Sequence, residues 1–111
     1  MTYEPFSIIA VPFPFTDKPQ NKRRPALVIS SHQHQIDTKH ITLLIVTSAK
    51  NSAWSSDYQI KSLDQTGLTA ASIVRQKIFS IDERLVIKKL GHLDKNDQEE
   101  VYKRIKKHLH I

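Results

Sequence analysis

The stretch Phe6–Ser30, FSIIAVPFPFTDKPQNKRRPALVIS, holds two apolar runs around a basic, proline-punctuated segment. The first run is Ser7 to Phe15 and the second is Pro25 to Ile29. Their β-branched and aromatic residues predict two strands, and Pro19, Gln20 and Asn21 predict a loop between them. Lys18, Lys22, Arg23 and Arg24 make that loop cationic. Arg24 stands directly before Pro25, where the chain re-enters the sheet. A guanidinium at that point is anchored by a strand yet open to solvent, a suitable place to meet an anion.

Working outward, Ser31 to Lys39 is polar and predicts a hairpin loop. Ile41 to Ser48 is apolar on both alternations, so it predicts a strand covered on both faces. Ala49 to Ser56 predicts a second loop and carries the only tryptophan, Trp54. Tyr58–Ile60, Ser72–Phe79 and Leu85–Leu90 predict further strands, with a turn over Leu63–Gly67. A short helical turn is predicted at Ile81–Arg84, where Asp82 can cap it.

The tail differs in kind. Asp94 can cap a helix whose first turns hold Asp97, Glu99 and Glu100 and whose end holds Lys103, Arg104, Lys106 and Lys107, an order that suits the helix dipole. Val101, Ile105 and Leu109 recur at helical spacing and predict one apolar stripe. Several short strands and one terminal amphipathic helix imply a mainly β (α+β) domain: a small, strongly curved sheet or partly closed barrel spanning residues 1–111.

Composition narrows the partners. Lys plus Arg outnumber Asp plus Glu by 17 to 11, giving a net charge of +6, and the charge is clustered. That balance favours anionic partners. Cysteine is absent, which excludes disulfides, thiolate metal sites and a thiol nucleophile. No apolar run approaches the roughly 20 residues that span a bilayer, and Met1–Pro5 lacks the pattern of a signal peptide. A soluble cytoplasmic protein with no membrane association is expected. His32 and His34 would share a face if they lay on a strand, but a third metal ligand is lacking apart from Asp37, so no metal or other cofactor is expected.

SIIAVPFPFTD followed by KRRPALVIS, then ITLLIVTS, GLTAASIVRQKIFSID and KKLGHL before a terminal helix, resembles the MazF/PemK-type toxins of toxin–antitoxin systems in order and spacing. The resemblance implies a compact SH3-like β-barrel with a C-terminal helix, usually a homodimer. It implies a metal-independent endoribonuclease that cuts single-stranded RNA and is held inactive by a cognate antitoxin. It places the catalytic pair at Arg24 and Thr47, gives Arg24 an acid–base role as well, and adds Arg75 as a further arginine. Two positions depart from the family: Phe6-Ser7 stands where Gly-Asp is frequent, and Lys77 stands where some members carry an acidic residue.

Chemistry fits those positions. Ribonucleotides carry their own nucleophile, the 2′-hydroxyl, so the protein need only hold the phosphate and stabilise charge. Arginine offers five donors and a fixed charge to phosphate oxygens, and the Thr47 hydroxyl can add one more hydrogen bond. Lys18, Lys22, Arg23, Ser48 and Lys77 are expected to contact RNA, and Phe15 and Trp54 to stack on unpaired bases. Plainer readings stand beside these. Arg24 as a solvated loop charge, Thr47 as an ordinary strand residue, and Arg75 paired with Asp82 or Glu83 fit the same residues. A gyrase-binding toxin of the CcdB type or a plain RNA-binding barrel are the alternative functions.

Overall fold

The computed structural model describes residues 2–14 and 22–111. Within them lie strands β1 (Ser7–Phe13), β2 (Lys22–Val28), β3 (His40–Ser48), β4 (Tyr58–Gln59), β5 (Ser72–Asp82) and β6 (Lys88–His92). Helix α1 (His32–Thr38) joins β2 to β3, and α2 (Lys95–Leu109) ends the chain. Short 3₁₀ turns occupy Ala49–Asn51 and Glu83–Leu85, the second capped by Asp82 as expected. All strands form one antiparallel sheet in the order β4-β5-β3-β2-β1-β6.

Alternation along the strands feeds two separate apolar layers, because successive strand residues point to opposite faces. Ile8, Leu27, Leu44 and Val46 face α2 and pack with Leu93, Val101 and Ile105. Ile9, Ala26, Val28, Ile41, Leu43 and Ile81 face the other way, and Leu85 and Val86 pack against them. This is the two-sided burial that the apolar run of β3 implied.

Three expectations need correction. β2 begins at Lys22, not at Pro25, and its ladder pairs Arg24 with Val11 and Arg23 with Pro12. These residues look like loop because they are charged, but their end of the strand faces solvent and tolerates charge. Residues 32–38 form a helix, not a hairpin loop. Ser31 caps it by accepting from the His34 amide, and fully buried Gln35 anchors it by bonding the Tyr3 amide and carbonyl. With one buried side chain, this helix has no apolar stripe to announce it. The α2 stripe is also shorter than expected: Val101 and Ile105 are buried, whereas Leu109 is 44% exposed at the last turn.

The sheet curls until its two edges nearly meet. β4 is one edge and β6 the other, and the turn after β4 crosses to β6, where the His92 amide donates to the Gln65 carbonyl at 3.0 Å. Two glycines permit the approach. A Cβ on Gly91 would lie 2.2 Å from the Gln65 carbonyl oxygen, and one on Gly67 would lie 2.3 Å from that of Leu90. Gly67 also holds φ +75°, a conformation that glycine adopts without a steric cost.

Helix α2 is pinned to the other edge by a buried carboxylate. Asp97 accepts from the Tyr58 hydroxyl and from the amides of Lys61 and Ser62. Burial, together with this bond to Asp97, pushes the Tyr58 hydroxyl well above the usual tyrosine range. Phe6 enters β1 with φ +70°, a strained geometry for a bulky residue. Its amide donates to Val28, its carbonyl accepts from Leu93, and its ring packs on the α2 side of the core, which offsets the strain.

Gly91→Ala forces its methyl against backbone that cannot swing aside. The expected loss is about 2–3 kcal/mol of stability, read as a lower urea midpoint, because overpacking costs in this range. A midpoint equal to the parent's would mean the edges do not depend on this contact.

Candidate active site

The curl leaves a groove of about 620 Å³ on the sheet. Arg23, Arg24 and Pro25 of β2 form one side, and Thr47 and Ser48 at the end of β3 form another. Lys50, Asn51, Lys88 and the crossing turn complete it, and none of the described lining residues is acidic. Arg23 and Arg24 are exposed and Thr47 is half-buried. Among the described residues, none of the lining cations Arg23, Arg24, Lys50 and Lys88 has an ion-pair partner. The groove is therefore a cationic hollow that keeps its charge for a ligand.

Thr47 is oriented by a residue that sequence reasoning missed. The Asn51 side-chain amide donates to the Thr47 hydroxyl oxygen at 3.1 Å. One lone pair of Thr47 is thereby occupied while its proton stays available to a ligand. The only sequence signal for Asn51 is its i+4 spacing from Thr47 across a tight turn.

Arg75 does not line this groove. Its guanidinium is bound twice by Asp57, at 3.0 and 2.9 Å, and not by Asp82 or Glu83; Asp82 instead pairs with Arg84. It also donates to the Asn51 carbonyl at 3.0 Å and lies 5.0 Å from the centre of the Trp54 ring. Asp57 accepts in addition from the amides of Ala53 and Trp54 at 2.9 Å. The Arg75–Asp57 pair thus clamps the loop between β3 and β4 and, through Asn51, holds the residue that orients Thr47. Burial opposes charge on the Asp57 carboxyl, but the Arg75 guanidinium and the two amides outweigh it and hold the group at about 2. Bonding to Asp57 pushes Arg75 up in turn.

The remaining predicted residues scatter. Lys22 is exposed at the start of β2 and does not line the groove. Lys77 is also off the groove, exposed on β5 with its ammonium 5.6 Å from the Phe79 ring. Trp54 is 45% exposed and lines a different hollow, beside α2. Phe15 and Lys18 fall outside the described residues. His32 and His34 lie on α1, where residues two apart point about 200° from one another, so they do not share a face.

The curled antiparallel sheet with a terminal helix is the fold seen in solved MazF toxins. The family profile for the PemK-like, MazF-like toxins of type II toxin–antitoxin systems matches residues 4–109, and the chain belongs to this family. The chain is similar in structure to MazF from Deinococcus radiodurans, with TM-score 0.76, 18% identity and coverage of 100% of this chain and 99% of that one. It is also similar to an endoribonuclease from a mycobacterial species in complex with its cognate antitoxin, with TM-score 0.77, 11% identity and coverage of 99% and 97%. The Mycobacterium tuberculosis toxin MazF-mt6 gives TM-score 0.74 at 13% identity, covering 95% and 97%. No curated protein sequence matches the chain.

Asp57→Asn should expose what the clamp contributes. The Asp57 carboxyl lies below its ordinary value of 3.8, so its stabilisation is fully present above that pH and is lost as pH falls toward about 2. The variant is expected to lose about 2 kcal/mol at pH 7, less than a fully buried pair because Arg75 is partly exposed. Urea midpoints of the two proteins should converge as the pH approaches 2, and a constant gap would remove the ion pair as the cause.

Proposed function

We infer that the protein is the toxin of a type II toxin–antitoxin pair and acts as a metal-independent endoribonuclease on single-stranded RNA. The observation that carries this reading is the joint lining of one cationic, acid-free groove by Arg24 and Thr47. The RNA backbone enters the groove with its phosphates drawn by Arg23, Lys50 and Lys88, contacts that add affinity with little sequence choice. Ser48 lies beside Thr47 on the same lining and adds a hydroxyl for the backbone.

In the reaction the 2′-oxygen attacks the neighbouring phosphorus, the bond from phosphorus to the 5′-oxygen breaks, and the proton lost from the 2′-hydroxyl is balanced by one gained at the 5′-oxygen. The products are a 2′,3′-cyclic phosphate and a 5′-hydroxyl. Arg24 donates to the non-bridging oxygens as their charge rises, where a fixed cation is worth most. It does so as a permanent charge rather than a proton carrier, because guanidinium does not deprotonate near neutrality. Thr47, oriented by Asn51, donates one further hydrogen bond. Arg75 acts at one remove, as a positioning residue that holds the Asn51 turn through the Asp57 clamp.

The cognate antitoxin would neutralise the same groove with an acidic segment. Support for such a partner comes from the family and from the antitoxin-bound form of a similar endoribonuclease. A homodimer is the expected working form on the same ground.

Purified protein incubated with labelled single-stranded RNA in EDTA should give fragments with cyclic-phosphate ends. Arg24→Ala is expected to cut at least 10²–10³-fold more slowly, the range for removing one main charge-stabilising donor, with an unchanged circular dichroism spectrum. Thr47→Ala and Asn51→Ala should each slow cleavage by about tenfold, the loss of one ordinary hydrogen bond. Cleavage by Arg24→Ala at the parent rate would sink the assignment.

A further inference from the structure

The cleavage reaction needs a proton donor that Arg24 is not. The 5′-oxygen departs as an alkoxide and must gain a proton, and a guanidinium does not release one near neutrality. Arg23 fails for the same reason. The described lining of the groove holds no histidine and no carboxylate. A serine or threonine hydroxyl is about as weak an acid as the departing alcohol, so it gains nothing by the transfer. An ammonium group is a far stronger acid than an alcohol. The described lining has two of them, Lys50 and Lys88.

These two lysines stand on opposite walls. Lys50 follows Thr47 and Ser48 into the turn after β3. Lys88 lies on β6, and the sheet runs β3-β2-β1-β6 from one wall to the other. Lys88 pairs with Ala10, and Ala10 pairs on its other side with Pro25, the residue after Arg24. Paired residues point to one face, so Lys88, Ala10 and Pro25 form a row across the groove that all three line. At the usual strand spacing the backbone of Lys88 is roughly 10 Å from that of Pro25. The middle of the row is alanine, which leaves the space above it to the four-carbon stem of Lys88. Lys89 pairs with Ile9 instead and does not line the groove.

We propose that Lys88 is the general acid of the cleavage, donating a proton from Nζ to the 5′-oxygen as its bond to phosphorus breaks. The proposal rests on the nuclease reading above. In an in-line displacement the attacking and leaving oxygens stand on opposite sides of phosphorus. With Arg24 of β2 on the non-bridging oxygens, one side faces the β3 wall and the other faces β6. The 2′-oxygen attacks from the side of Thr47 and its proton passes to water. The 5′-oxygen leaves toward Lys88, and Nζ regains its proton from solvent, to which Lys88 is exposed. Water is the only other participant.

A change of leaving group tests this directly. Two RNA oligonucleotides are compared in single turnover, one with the natural 5′-oxygen at the scissile linkage and one with sulfur in its place. A thiolate leaves without being protonated, so it has no need of a general acid. Lys88→Met is expected to cut the oxygen substrate about 10²-fold more slowly than the parent. It should cut the sulfur substrate within about threefold of the parent, as little more than one phosphate contact is then lost. Lys88→Arg keeps the charge but not the transferable proton, and should show the same contrast. Lys89→Met, a charge loss on the same strand but off the groove, should match the parent on both substrates.

Equal losses on both substrates in Lys88→Met would overturn the proposal and leave Lys88 a phosphate contact. Oxygen cleavage restored in Lys88→Arg would overturn it in favour of charge alone. A loss confined to the oxygen substrate in Lys50→Met, with none in Lys88→Met, would move the donor to the other wall. In each of these cases the parent still cuts RNA and the nuclease reading stands. A parent that cuts neither substrate removes that reading and the general acid together.

Discussion

Backbone is packed on backbone where the turn after β4 meets β6. Gly67 and Gly91 each leave no room for a methyl group, because a carbonyl from the opposite segment occupies that space. The approach draws the free edges of a six-stranded sheet together through the His92–Gln65 bond without a further ladder. It also builds the site. Gly67, Leu68 and Leu90 line the same groove as Arg24 and Thr47, so the contact that curls the sheet raises one wall of its cationic hollow. An open, flatter sheet would spread those side chains over a surface and lose the concavity that lets several donors converge on one phosphate.

Charge is distributed with the same economy. Most acidic groups that take part in structure are already matched: Asp57 by Arg75, Asp82 by Arg84, Glu100 by Lys103 and Arg104, and Asp97 by a hydroxyl and two amides. The cations of the candidate groove have no such match among the described residues. A net charge of +6 therefore understates the field in that hollow, since the neutralising charges sit elsewhere. Low-dielectric walls focus such a field and raise the local concentration of an anionic chain. Arginine on a strand keeps its direction as well as its charge, and direction is what transition-state stabilisation requires.

The strands were largely legible because their apolar residues follow the pleat, and α2 because its caps and charge order agree with its period. Helix α1 was not, since a seven-residue helix with one buried side chain, Gln35, shows no stripe. Its anchor is a pair of bonds to Tyr3, 32 residues away, and a linear reading has no access to that distance. The same limit applies at the candidate site. Arg24 and Thr47 were reached through family resemblance, and their joint groove depends on strand pairing that places β2 beside β3. The partner of Arg75 was misread because near neighbours in sequence, Asp82 and Glu83, looked available while Asp57 lay 18 positions back on another loop.

A bulge in β5, where Ile45 pairs with Arg75 while Leu44 pairs with Ile78, explains how one strand serves two ends. Without it, Arg75, Gln76 and Lys77 would alternate across the pleat and continue the pairing of β3. With it, Arg75 turns to the Asp57 clamp and stabilises the turn that bears Asn51, while Gln76 drops toward α2 and Lys77 stays in solvent. Lys77 thus stands outside the groove that holds Arg24 and Thr47. A carboxylate at position 77 would also stand outside that lining. What the groove itself contains is fixed positive charge and an oriented hydroxyl, a set suited to an anionic ligand.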